Sequence, residues 1–302
     1  MSSWTEQYRP THLSNVVGQA TIQQFLMKLT QMAHRIDECP HLIFHGPSGT
    51  GKTSLALAFA RDMYPDVHVA YSTMYLNASD ERTMETVRER IRDFLRTSSM
   101  GVRRKIVILD EIETMTEPAQ LTLRSLMEPS ETLHVPLFLF LCNTISRINP
   151  LVRSCALSIF CGHLSCSHIQ SMLTTVQEAE HKPIELPTPL SCMIHRGDMR
   201  SFLQKAQMGE NPNSWIPWFY RLFNAPDDRV HIVWEEGIQL VPLWLLLRHM
   251  LVFCYAVNIY ASVPHDVWSE WLTTVVRNRD SVLNLEPIVS AWKKVLSELR
   301  KK

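Results

Sequence analysis

Short apolar runs alternate with amphipathic stretches along the first half of the chain. Five of the runs are rich in β-branched or aromatic residues, which favours strands, and stretches with helical spacing separate them. Strands that alternate with helices indicate a three-layer α/β domain with a largely parallel sheet covered on both faces. The predicted strands are His41–His45, Val69–Asn77, Lys105–Asp110, Leu137–Cys142 and Ala156–Phe160, and the predicted helices are Lys52–Met63, Thr83–Arg96 and Thr116–Glu128.

After about residue 161 the pattern predicts helices alone. Ser165–Ala179 and Gly197–Met208 have helical spacing, and three prolines mark a turn-rich link between them. From about residue 226 the chain is helical in character and rich in tryptophan. Leu240–Tyr260 approaches membrane-spanning length, but an arginine, a histidine and an asparagine interrupt it, so a buried helix is expected and no contact with a membrane. The predicted domains are residues 1–160, 161–225 and 226–302.

Composition narrows the possible functions. Of 302 residues, 45% are hydrophobic and 20% are charged, which is typical of a globular protein with a substantial core. The formal net charge is zero, so any contact with nucleic acid must come from local patches rather than from the overall field. The seven cysteines are odd in number and no pair has C-x2-C spacing, which favours reduced thiols.

The segment GPSGTGKT matches the phosphate-loop pattern G-x4-G-K-[ST] between a predicted strand and a predicted helix. Its glycines allow backbone N–H groups to surround phosphates, and the helix N-terminus adds its dipole. Lys52 is expected to reach the β and γ phosphates of ATP, and the Thr53 hydroxyl to bind Mg²⁺. The expected nucleotide-binding residues of this loop are Gly46, Pro47, Ser48, Gly49, Thr50, Gly51, Lys52, Thr53 and Ser54.

An acidic pair follows the third predicted strand, in the segment KIVILDEIE. A phosphate loop needs such a pair on a neighbouring strand. Asp110 is expected to hold the water shell of the magnesium ion, and Glu111 to polarise the attacking water as a general base. Together with the phosphate loop, the pair predicts an ATPase.

Further segments occur in a characteristic order. They are WTEQYRP (4–10), LSNVVGQ (13–19), LNASDERTMETVRERIRDF (76–94), LFLFLCNTIS (137–146) and GDMR (197–200). Over residues 4 to 208 the chain thereby resembles the small subunits of replication factor C, the sliding-clamp loader of the AAA+ ATPase superfamily. The resemblance implies a small helical lid after the ATPase domain, and then a helical collar through which subunits associate.

The resemblance also implies roles for residues outside the phosphate loop. Asn143 would be the sensor residue that follows the fourth strand, and Arg200 the second sensor, near the γ phosphate. The adenine base would lie among Tyr8, Arg9, Pro10 and Val17.

A basic stretch runs from Arg82 to Lys105. Arg88, Arg92 and Arg96 recur at one-turn spacing, but acidic residues alternate with them, so the residues alone favour a solvated helix face. The resemblance favours contact with the DNA backbone, for which the candidates are Arg82, Thr83 and Arg88.

The sequence departs from the family pattern at several positions. Small loader subunits carry Ser-Arg-Cys after the first sensor, and the arginine enters the neighbouring subunit's ATP site. Here the order is Arg153-Ser154-Cys155, so Arg153 is displaced by one residue and is a hypothetical substitute for that arginine. Serine replaces the usual second proline of the phosphate loop at Ser48, and Glu113 replaces an aspartate after the acidic pair.

The resemblance implies an ATP- and Mg²⁺-dependent subunit of a hetero-pentameric loader that opens a sliding clamp and places it on primer–template DNA. It would act in the nucleus of a cellular eukaryote, or at a viral replication site. Two alternatives remain open: a structural subunit that binds ATP without hydrolysing it, and another DNA-acting AAA+ ATPase.

Overall fold

The computed structural model describes residues 3–31, 33–79, 84–97, 101–128, 135–240, 243–256, 263–278 and 286–301. Two compact units share these residues. One comprises residues 1–182 and 197–207, and the other comprises residues 183–196 and 208–302. The sequence-based division at residues 160 and 225 does not coincide with these units and stays a prediction.

A five-stranded sheet forms the centre of the first unit. All of its described pairings are parallel, and the strand order is β2-β3-β4-β1-β5. This arrangement confirms the predicted α/β class. The strands are β1 His41–His45, β2 Thr73–Asn77, β3 Ile106–Asp110, β4 Leu137–Cys142 and β5 Ala156–Phe160.

The helices follow the predicted stretches closely, but one of the predicted strands needs a correction. The predicted strand Val69–Asn77 is a helical turn over its first four residues and a strand over its last five, because the apolar run gives no signal for the change of backbone conformation. The helices are α1 Trp4–Gln7, α2 Ala20–Gln31, α3 Lys52–Met63, α4 Val69–Ser72, α5 Met84–Arg96, α6 Glu117–Leu126, α7 Pro150–Arg153, α8 Cys166–Glu180, α9 Pro189–Ile194, α10 Met199–Met208, α11 Trp215–Asn224, α12 Val230–Leu240, α13 Leu243–Ala256, α14 His265–Asn278 and α15 Glu286–Arg300.

Alternate side chains of the strands enter two separate apolar clusters, one on each face of the sheet. In β1, Leu42 and Phe44 join the cluster that contains α2 and α3, whereas Ile43 joins the cluster that contains α5 and α6. Side chains of a strand point to opposite faces in turn, so helices cover both faces. The first unit is therefore the expected three-layer structure, and every carboxyl end of the parallel strands lies at the same edge.

The second unit is helical, as predicted, and its core combines aliphatic side chains with a cluster of aromatic rings. Trp268, Trp271 and Trp292 are almost fully buried, and neighbouring ring centroids lie 5.3 to 6.4 Å apart. Aromatic pairs at such separations add to the stability that burial alone provides. In the described residues, no helix is both long and apolar enough to cross a bilayer.

A buried arginine ties three segments together at the amino-terminal edge of the sheet. Arg104, just before β3, is 7% exposed, and its guanidinium donates to four carbonyl oxygens at 2.7 to 3.2 Å. These acceptors belong to the segment before β1 and to the segment before β4, and they are Ile36, Cys39, Val135 and Pro136. The hydroxyl of Tyr64 donates to the Arg104 carbonyl at 2.7 Å, which adds the end of α3 to the network.

We expect Arg104→Lys to lower the free energy of unfolding by about 2–4 kcal/mol. A lysine ammonium cannot span four acceptors that a planar guanidinium reaches, so buried carbonyl groups lose their partners. Urea denaturation of the full chain measures the change. Arg103→Lys, at the exposed neighbouring position, is the control and should stay within about 0.5 kcal/mol of the original. Equal effects of the two substitutions would contradict the network's importance.

Candidate functional site

The loop between β1 and α3 has a backbone shape that favours glycine. Gly46, Gly49 and Gly51 have φ values of 143°, 68° and 94°, which side chains other than hydrogen rarely tolerate. A Cβ atom at Gly46 would also lie 2.2 Å from the carbonyl oxygen of Cys161. Helix α3 begins at Lys52, and its N-cap Gly51 has no side chain to accept from the first turn. The N–H groups of that turn are donors suited to phosphate oxygens.

The beginning of α10 lies directly against this loop. The Met199 N–H donates to the Gly49 carbonyl at 3.2 Å, and the Ser48 hydroxyl lies 3.3 Å from Asp198 Oδ2. Asp198 Oδ1 accepts from the Ser201 N–H at 3.1 Å and caps the first turn of α10. A Cβ atom at Gly49 would lie 1.7 Å from that same oxygen. Only glycine at position 49 therefore permits this close approach.

The ammonium group of Lys52 is buried at the centre of the site. Its Nζ donates to the carbonyls of Gly46 at 2.8 Å and Pro47 at 2.7 Å, and to Asn143 Oδ1 at 3.0 Å. None of these acceptors carries a formal charge. Lys52 is 8% exposed, and burial lowers the pKa of its ammonium from the ordinary value. A buried cation held by neutral oxygens has a strong attraction for an anion.

The carboxylate of Asp110, at the end of β3, accepts three hydrogen bonds. Its Oδ1 accepts from the Glu111 N–H at 2.9 Å. Its Oδ2 accepts from the hydroxyls of Thr53 at 3.0 Å and Tyr75 at 2.8 Å. The pKa of the Tyr75 hydroxyl is raised, mainly by burial and to a lesser extent by this hydrogen bond to Asp110. Asp110 and Thr53 are thus in direct contact.

Glu111 has a left-handed backbone conformation, with φ 55° and ψ 35°. For a residue other than glycine this costs on the order of 1 kcal/mol, and such strain is often found at functional sites. It turns the chain sharply after β3, and Glu111 lines the same pocket as Asp110.

A second carboxylate, Glu113, positions the residue that follows β4. Its Oε1 accepts from the Asn143 N–H at 2.7 Å, and the Asn143 amide oxygen in turn accepts from Lys52. Glu113, which stands where the resembled family has an aspartate, therefore fixes the backbone of Asn143.

The N-terminal segment closes the other side of the pocket and is fastened to two helices. The Trp4 N–H donates to Gln207 Oε1 of α10 at 3.0 Å, and the Tyr8 hydroxyl donates to Glu180 Oε1 of α8 at 2.6 Å. The hydrogen bond to Glu180 raises the pKa of Tyr8. Because Tyr8 lines the pocket, these bonds hold that wall in place.

One pocket in the first unit brings most of the predicted residues together. Its lining includes Tyr8, Arg9, Pro10, Val17, Ser48–Ser54, Asp110, Glu111, Asn143 and Arg200, and Gly46 and Pro47 border it through their bonds to Lys52. Sequence reasoning missed Thr5, Asn15, Val16, Cys142, Leu164, Met172, Met199 and Leu203. Several of the missed residues are apolar and lie on or near α8 and α10. Helical spacing placed α8 and α10 correctly but gave no signal for which face meets a ligand.

The oxygen atoms next to the loop are suitable ligands for a magnesium ion. Mg²⁺ prefers hard oxygen ligands and keeps several of its waters. A hydroxyl and a carboxylate 3.0 Å apart, in Thr53 and Asp110, offer such oxygens next to the phosphate-binding N–H groups.

The remaining candidates lie elsewhere. Arg153 is the last residue of α7, is exposed, and is not part of the pocket lining. Arg88 is described on α5, with its side chain partly buried and its Nε atom fully so. The other two DNA-binding candidates, Arg82 and Thr83, fall outside the described residues.

The chain is similar to known proteins in both sequence and fold. The model of the family described as ATPase family associated with various cellular activities (AAA) matches residues 42–162. A replication factor C small subunit of Methanocella arvoryzae is 36% identical over 208 residues, which are 68% of this chain and 62% of that protein. Replication factor C subunit 4 of Caenorhabditis elegans is 38% identical over 191 residues, or 60% of this chain and 54% of that protein.

The matches span less than two thirds of the relatives' own length. Among solved structures, a variant of Thermotoga maritima RuvB has a TM-score of 0.55 at 14% identity and covers 97% of this chain and 89% of its own. At that identity the likeness concerns the fold alone.

We expect Gly49→Ala to weaken binding of a fluorescent ATP analogue at least about 10-fold. The new Cβ atom would displace Asp198 from the loop, in addition to about 1 kcal/mol of strain from the positive φ. Gly209→Ala is a matched control, because Gly209 has φ 73° and a Cβ atom there meets nothing within 4 Å. Fluorescence titration of both variants checks this, and equal affinities would contradict the importance of the close approach.

Proposed function

We propose that this chain, whose residues 42–162 match the AAA ATPase family and which resembles replication factor C small subunits, is an ATP-binding and ATP-hydrolysing subunit of a DNA sliding-clamp loader. ATP would be used to open the clamp and load it onto primer–template DNA in replication and repair. The proposal concerns the whole protein's activity and its partners.

The observation that carries the proposal is the environment of Lys52. A buried ammonium with neutral acceptors, beside uncapped helix N–H groups, is a site for a polyphosphate. Apolar side chains such as Leu164 and Met172, in the same pocket, suit a nucleotide base.

The remaining residues have complementary roles in the proposed reaction. Glu111 accepts the proton of the attacking water, and Arg200 of α10 stabilises charge at the γ phosphate. Asn143 orients Lys52 and the water. A magnesium ion bound through Thr53 and Asp110 would neutralise phosphate charge.

Arg153 is proposed to act on a neighbouring subunit. It is exposed at the end of α7, close in sequence to exposed apolar side chains of α7 and of the edge strand β5, which are Leu151, Leu157 and Phe160. Exposed apolar groups of this kind favour an interface with another protein. The proposed partners are other loader subunits in a hetero-pentamer, the sliding clamp, and DNA contacted through its backbone at α5.

A second candidate is a structural subunit that binds ATP without hydrolysing it. The observation that favours it is Ser154 at the position of the family's trans-acting arginine. The proposed site of action is the nucleus, or a viral replication site if a virus encodes the chain.

We expect Glu111→Gln to reduce ATP hydrolysis at least about 100-fold while ATP binding stays within about twofold, because the amide cannot accept the proton of the attacking water. Steady-state ATPase assays of the complex that co-purifies with the chain, together with binding titrations, measure both effects. Glu178→Gln, the same change at an exposed position of α8, is the control. Unchanged hydrolysis in Glu111→Gln would favour the structural subunit.

We expect Arg153→Ala to lower the ATPase rate of the assembled complex by about 10-fold or more without changing ATP affinity of the isolated chain, since a trans-acting arginine contributes to charge stabilisation in a neighbour's site. Arg61→Ala on the exposed side of α3 serves as the control. A rate equal to that of the original complex would exclude Arg153 from this role.

A further inference from the structure

Tyr75 reaches the metal-binding carboxylate from the edge strand β2. In the parallel pairing of β2 with β3, Tyr75 is opposite Ile108 and Asn77 is opposite Asp110. Ile108 belongs to the apolar cluster beneath α3, whereas Leu76 and Leu109 belong to the cluster on the other face. Because side chains alternate, Tyr75 and Asp110 share the face on which α3 begins.

The hydroxyl of Tyr75 makes the shortest of the three hydrogen bonds to the Asp110 carboxylate. Its distance to Oδ2 is 2.8 Å, compared with 3.0 Å for Thr53 Oγ1 to the same oxygen and 2.9 Å for the Glu111 N–H to Oδ1. A hydrogen bond to an ionised carboxylate is stronger than one between neutral groups. Tyr75 therefore contributes substantially to the orientation of Asp110.

The Thr53 hydroxyl cannot supply this constraint by itself. Thr53 is the residue whose oxygen is expected to bind the magnesium ion, so its hydroxyl serves two partners. The terminal torsion of an aspartate is broad, so the plane of a carboxylate with few donors can rotate. The donor on β2 does not depend on the phosphate loop and can keep the plane fixed while Thr53 adjusts to the metal.

We propose that Tyr75 is a positioning residue of the magnesium site, which holds the Asp110 carboxylate in the orientation that the metal's water shell requires. This inference rests on the proposed function, because it presumes that the pocket binds Mg²⁺ together with ATP. Tyr75 does not itself bind the metal in this assignment, and its effect passes through Asp110. Removal of a residue that hydrogen-bonds to a metal-binding group commonly lowers metal affinity by about 10- to 100-fold.

The exposure of Tyr75 separates this role from a role in stability. Its side chain is 44% exposed on an edge strand, so removal of the hydroxyl leaves the apolar core unchanged. Tyr75→Phe keeps the ring and deletes only the donor. Tyr71→Phe is the matched control, because it makes the same change at a tyrosine of α4 that is 62% exposed.

The test compares the affinity of the full chain for a fluorescent ATP analogue in EDTA and in saturating MgCl₂. By thermodynamic linkage, the ratio of the two affinities measures how much more tightly magnesium binds to the protein-bound nucleotide than to the free one. We expect Tyr75→Phe to keep the affinity in EDTA within about twofold and to lower the ratio about 10-fold. Tyr71→Phe should leave both quantities unchanged.

Each outcome is informative. An unchanged ratio in Tyr75→Phe, with a clear magnesium effect in the original chain, would overturn the role of Tyr75 and leave the proposed function intact. An original chain that does not bind the analogue, or that binds it equally with and without MgCl₂, would overturn the proposed site itself. Equal weakening in both buffers would mean that Tyr75 supports the fold of the pocket rather than the metal, and a thermal unfolding curve would then show a matching loss of stability.

Discussion

The need to surround the buried ammonium of Lys52 with polar groups is the constraint on which the nucleotide site of the first unit depends. Taking a cation out of water is costly unless polar groups surround it. Here the phosphate loop contributes two carbonyls and β4 contributes the amide of Asn143, which Glu113 holds in turn. Because all these acceptors are neutral, the charge remains available to an anion. The fold therefore preorganises the site, because the cation is already in position before a nucleotide binds.

Parallel strands make such an arrangement possible. The groups that surround Lys52 come from the ends of β1, β3 and β4, which lie next to one another in the sheet although they are far apart in the chain. Ligands of open parallel sheets commonly bind at this edge. The loop and the acidic pair could therefore be predicted from two strand-ending motifs, because each has a local signal and the sheet brings the ends together. Asn143 is expected at the site only through the resemblance to a known family.

What the sequence could not predict depends on contacts without a local signal. Met172 of α8 and Leu203 of α10 have ordinary helical spacing, and nothing in that spacing distinguishes a side chain that faces a ligand from one that faces the core. The hydrogen bond from Tyr75 to Asp110 requires the register between β2 and β3, which periodicity does not determine. Arg104 looks like part of a solvated basic stretch in the sequence, yet it is buried among carbonyl groups. The tryptophan-rich region predicted helices correctly, but not which indole rings would meet.

The contact between the phosphate loop and α10 also determines at what stage of synthesis the nucleotide pocket becomes complete. Ser48 of the loop and Asp198 at the start of α10 are 150 positions apart in the chain. A ribosome therefore completes the loop long before it completes the helix that packs against it. Contacts between such distant segments form late, because closing a long loop of chain costs entropy that later contacts must offset. A nascent chain that ends before α10 would present the glycine-rich loop without one of its walls. Nucleotide binding would thus coincide with completion of the first unit, and the ligand would favour the finished fold over its unfinished forms.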